Sequence, residues 1–144
     1  MGKKILLGVI GVALGFVIGS IVMTGLHLAN HLIYPPPADV EFMSQDPENM
    51  ERMNAWIQDL PTGALLLVVL IHGLGAMSGA FIAMFVTGRR SMTPAIVVGV
   101  FFTLAAVVNL MSVSHPSWFP FADLPIYLAL SFLAGKLVLR PAAP

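Results

Sequence analysis

Four long stretches of this chain carry almost no charge, and that silence constrains the fold more than any motif does. They lie at about 5–33, 62–87, 94–114 and 122–139. An apolar run of about 18 or more residues is long enough to cross the hydrocarbon core of a bilayer as a helix. The chain is 58% hydrophobic and only 10% charged, against about 25% charged in a soluble domain. The expected fold class is an all-α membrane protein, a four-helix transmembrane bundle forming one domain over 1–144. Little chain remains between the spans, so no soluble catalytic module is expected.

The few charges are sorted. Lys3, Lys4, Arg89, Arg90, Lys136 and Arg140 fall at the N-terminus, in the second connection or near the C-terminus. Asp39, Glu41, Asp46, Glu48, Glu51, Asp59 and Asp123 fall in or beside the first and third connections, with Arg52 the one base among them. Basic flanks stay on the cytoplasmic side. The pattern predicts N-in/C-in termini, with the 34–61 loop and the 115–122 loop outside. The expected location is the bacterial cytoplasmic (inner) membrane. The Lys3–Lys4 start followed by apolar residues has the look of a signal peptide. Its apolar run continues to Ile33, well beyond the ~7–15 residues of a cleavable h-region, so a retained first span is expected.

Small residues mark helix-packing faces. Gly8, Gly11, Gly15 and Gly19 fall within about an 80° arc of the first span. In the second span, His72 lines up with Gly75, Ala76, Gly79 and Ala83. Glycines spaced by four let backbones approach closely in lipid, where packing replaces the hydrophobic effect. These faces predict association, as a homo-oligomer or with other membrane subunits.

In the first outer loop, "YPPP" at 34–37 forbids helix and holds the chain off the span. Then "DPENMERMNAWIQDL" predicts a short amphipathic helix at about 47–59, with Asp46 as cap and Pro47 in its first turn. It would lie in the membrane interface or fold as a lid over the bundle. Tyr34, Trp56, Trp118 and Tyr127 all fall near the outer boundary, as interface anchors do.

Polar side chains within the spans are costly and face protein rather than lipid. Thr24, His27, Asn30 and His31 lie in the first span, His72 in the second, Asn109 in the third. His72 sits about 15 Å below the outer end of its span; it is expected to point into the bundle, with Thr24 as a hydrogen-bond partner. No carboxylate is expected in a span interior, Asp123 sitting at the edge of the fourth. His27 and His31, four apart, share a face as two metal ligands would, and His115 could add a third. A haem held between His27 and His115 is the related alternative.

The chain has no cysteine, no HExxH, no phosphate loop and no dinucleotide fingerprint. Its lysines and arginines are too few for nucleic acid. No enzyme activity and no cofactor are therefore expected. The leading expectation is a non-enzymatic, helix-packing accessory subunit or self-associating bundle in the lipid bilayer. The alternatives are a metal- or cofactor-binding protein using His27, His31 and His115, and a small permease with His72 in its path.

The Lys-Lys start with its glycine-rich first span, "HLIYPPPA" at its exit and "LPTGALL" opening the second span resemble a loose group of uncharacterised small four-span bacterial inner-membrane proteins. The resemblance implies the fold and the location and carries over no catalytic residue.

Overall fold

The computed structural model describes residues 2–42, 44 and 46–139; Arg140, one of the flanking bases, lies outside them. It is all-helical: α1 (Gly2–His31), α2 (Pro47–Asp59), α3 (Thr62–Val86), α4 (Thr93–Ser112) and α5 (Phe119–Val138). All but α2 are long and apolar enough to cross a membrane. The expected four-helix bundle is what the chain forms. Helix α3 is central and packs against α1, α4 and α5.

The α1–α3 contact is made by the glycines. A Cβ at Gly15 would lie 2.5 Å from the Gly79 carbonyl oxygen, and one at Gly19 would lie 2.6 Å from that of Gly75. The backbones touch, which only glycine permits. Gly11 meets Ala83 and Thr87 in the same seam, whereas Gly8 has nothing within 4 Å. These faces therefore find their partners inside one chain, and association with a second copy draws no support from them. The opposite side of α3 packs on α5, where Gly73 accommodates Ile126 and Leu130 and Ser131 Oγ–H donates to the Ala76 carbonyl at 3.3 Å.

Helix α3 ends where Gly88 takes a φ of 83° and the Arg89 N–H reaches back to the Met84 carbonyl at 2.9 Å. This is the hydrogen bond of a Schellman stop. It returns the chain directly into α4.

Helix α2 starts as expected: Asp46 Oδ2 accepts from the N–H groups of Glu48 and Asn49, both at 3.1 Å. It is a lid rather than a surface anchor. Met53 and Ile57 are buried in a cluster with Val40, Leu65, Val69 and Phe119. The Ser114 N–H donates to Asn54 Oδ1 at 3.0 Å, tying α2 to the α4–α5 connection. Asn49 closes the preceding loop by pairing with both backbone groups of Glu41.

Helix α5 begins at Phe119, three residues earlier than expected, because Pro120 suits a first turn and Phe119 is drawn into the cluster beneath α2. That shift carries Asp123 into the helix and inside the bundle. Tyr127 is also not an interface anchor: it is 3% exposed and sits in the main core cluster.

Candidate functional site

Beneath α2 lies a cavity of about 580 Å³. Helices α1 and α4 form its walls, α3 and α5 its floor, and Met53, Trp56 and Ile57 of α2 its roof. The size is that of a small-molecule site. The polar residues picked out from the sequence converge on it. Thr24, His27, Asn30 and His31 line it from α1, His72 from α3 and Asn109 from α4. Tyr34, Trp56 and His115 reach it from the connections and the roof. Trp118 is the exception, packing instead against Phe119 at 5.8 Å between ring centroids.

The floor is built around a residue that sequence reasoning left at the edge. Asp123 is 1% exposed. The His72 Nδ1–H donates to its Oδ1 at 2.6 Å, and the Tyr127 O–H donates to its Oδ2 at 3.2 Å. A buried carboxylate is tolerable only when paired and hydrogen-bonded in this way. His72 thus bonds Asp123, not Thr24. The carboxylate fixes the orientation of the imidazole, as carboxylate–histidine pairs generally do. Nε2 has no protein partner among the described residues. The Tyr127 ring stacks on His72 at 5.5 Å and on Phe102 at 6.3 Å, nearly parallel to Phe102.

The other histidines do not converge. His27 meets the His72 ring edge-on at 5.1 Å, while His31 stacks on Phe42 at 5.0 Å. His115 stacks on Phe119 at 4.5 Å, with its Nδ1–H donating to the Val113 carbonyl at 2.9 Å. Burial lowers the pKa of His115, and the Val113 bond and the Asp123 charge only partly oppose that. Among the described residues, no group of three or more His, Asp or Glu is placed to hold a metal ion. The alternative His27–His31–His115 ligand set is not brought together here, because His31 and His115 each stack on an aromatic neighbour.

Two further features define what the cavity accepts. Asn30 is 6% exposed, and its Oδ1 is buried without a hydrogen-bond partner. No lysine or arginine lines the walls, and Asp123 is the one acid there, among the described residues. The cavity also has an open side. Thr24 and Leu28 of α1 and Ala105 and Asn109 of α4 all line it yet are exposed, so α1 and α4 part at this level. Farther along the seam Phe16 bridges the two helices, packing on Phe102 at 4.7 Å and on Phe101 at 6.3 Å.

Asp123 was missed because its own sequence surroundings look like a connection. The available signal was its spacing of four from Tyr127, which sets both on one helix face. In comparisons with protein-family models, with curated proteins and with solved structures, the chain finds no match.

Proposed function

We propose that the protein is a membrane-embedded, non-enzymatic binding protein that admits a small amphipathic molecule sideways from the lipid. The observation that carries this reading is the gap between α1 and α4. Thr24, Leu28, Ala105 and Asn109 are exposed in the lid-side halves of apolar helices and line a cavity with a polar floor. In a bilayer such a gap faces acyl chains rather than water, so what enters it comes from the membrane. The distribution of basic residues supports placing this cavity in the outer half of a bacterial inner membrane, with both termini cytoplasmic.

Of the readings open from the sequence, a permease needs a path. The Gly15–Gly79 backbone contact and the Phe16–Phe102 packing close the bundle below the floor. A dead-end chamber with a fixed hydrogen-bonding floor favours binding over conduction. The pairing of His72 with Asp123 then has the role of holding a donor or acceptor at a set place, as intramembrane ionisable residues commonly do.

The test is native mass spectrometry of the protein extracted gently from its own membranes. One defined small-molecule adduct is expected on the wild type. Ala105→Trp, which fills the gap from an exposed position, should lose it. Identical adduct patterns in the two proteins would overturn the proposal.

A further inference from the structure

We propose that the molecule held in this cavity is an isoprenoid quinone, bound as quinone or quinol; the inference rests on the binding role proposed above.

Charge excludes most membrane lipids first. A phosphate or carboxylate head would be buried with no lysine or arginine in the lining and would share the chamber with Asp123. Desolvating an anion without a partner is prohibitive. A cationic head fares little better, because both Asp123 oxygens already accept bonds, from His72 and from Tyr127. The head is neutral.

Hydrogen-bonding groups then ask for oxygen at more than one end of that head. The unpartnered Nε2 of His72 is on the floor. Asn30, with its buried and unsatisfied Oδ1, is on the α1 wall. Asn109 stands opposite on α4. Buried polar atoms left alone are rare and costly, so the Asn30 amide marks a place where a ligand atom completes the bonding. A quinol hydroxyl donates to the Asn30 oxygen. A quinone carbonyl accepts from the same amide with its NH2 turned inward. With its Nδ1–H held by Asp123, His72 Nε2 is an acceptor and takes the hydrogen bond of the opposite hydroxyl in the quinol. A ring with two opposed oxygens fits this demand, and a single terminal hydroxyl does not.

The walls suit a flat ring and the seam suits a tail. Tyr127 and Phe102 stack with only 8° between their planes, and Trp56 closes the chamber above. Aromatic faces of this kind hold planar rings by offset or edge contact. Farther along the same α1–α4 seam, with Phe16 and Phe101 in its wall, lies a second recess of about 720 Å³. It is lined by apolar residues such as Val9, Val12, Val17 and Val97. Thr93 is the one hydroxyl residue in its otherwise apolar lining, a surface that suits a prenyl chain.

The experiment uses the reporter the cavity already contains. The chain has two tryptophans, of which Trp56 lines the cavity and Trp118 does not. Trp118→Phe in nanodiscs of zwitterionic lipid leaves Trp56 as the one emitter, to be titrated with decylubiquinone and, separately, with 1-decanol. Saturable quenching at one quinone per protein is expected. Apparent affinity should fall at least tenfold in Ala105→Phe, which fills the gap without adding an emitter, and in Asn109→Leu, both surface substitutions. Decanol should neither saturate Trp56 nor displace the quinone. Saturable binding of decanol with none of quinone would overturn the ligand class and leave the binding role standing. Quenching that never saturates, or that is equal in the Ala105→Phe background, would overturn both.

Discussion

His72 on α3 and Asp123 on α5, 51 positions apart in sequence, meet at 2.6 Å to form the polar floor of the cavity. The pair holds two helices together and orients the imidazole at once. Its energetics follow from burial. Asp123 is 1% exposed, so water cannot replace a lost partner.

His72→Leu leaves the carboxylate with only the Tyr127 bond. An orphaned buried acceptor costs about 1–3 kcal/mol. The double variant His72→Leu/Asp123→Leu removes both polar groups and is expected to be more stable than the sum of the single losses. Unfolding in detergent, run as a double-mutant cycle, reads this directly. Strict additivity would mean that the two residues do not interact.

This pair also shows where the sequence was legible and where it was not. The spans, the Asp46 cap and the polar residues of α1 follow from charge silence, capping chemistry and helical spacing, all local properties. The depth of His72 was counted from the α2 end of α3. From that end, His72 is ten residues into its helix and Asp123 only four into α5, which sets them apart. Counted from the opposite ends, His72 stands 14 residues before Val86 and Asp123 stands 15 before Val138, which makes them level. The helices are staggered because α3 extends toward the α2 lid while α5 starts lower. Nothing within either segment reports that stagger. The glycines pose the same limit: their spacing defines a face, but a face does not name the helix that covers it.

The glycine seam gives a sharp contrast. Gly15→Leu places a side chain where even a Cβ would lie 2.5 Å from the Gly79 carbonyl oxygen. Backbone cannot yield as a side-chain end can, so the loss should reach about 1–3 kcal/mol or more. Gly8→Leu, at a position with nothing within 4 Å, is the matched control and should be neutral or slightly stabilising. Melting of the two variants in detergent distinguishes them. Equal melting temperatures would show that α1 does not pack on α3 through this seam.

The lid depends on its cap. Asp46→Ala removes the acceptor of the Glu48 and Asn49 N–H groups, a change worth about 1 kcal/mol at a helix start. Because α2 is short, that loss should appear as local opening rather than global unfolding. Hydrogen exchange within Pro47–Asp59 should speed up about fivefold, with α3 to α5 unchanged. Uniform acceleration along the chain would mean that the lid and bundle open as one unit.

His115 supplies the pH dependence that can be assigned outside the spans. Burial against Phe119 lowers its pKa, and the Val113 bond and the Asp123 charge restore only part of that. The folded state then binds fewer protons at this site than the unfolded chain does. Linkage makes the resulting stability change positive with rising pH. The full contribution is present above the unfolded value of about 6.5, and it is lost progressively as pH falls from there through the lowered folded value. His115→Phe keeps an aromatic ring against Phe119 and cannot take up a proton. Its stability should therefore fall less steeply than that of the wild type below about pH 6.5, while the two curves run parallel above it. Melting curves of both proteins across that range make the comparison. Parallel curves on the acid side as well would show that His115 takes up its proton as easily in the folded protein as in the unfolded chain.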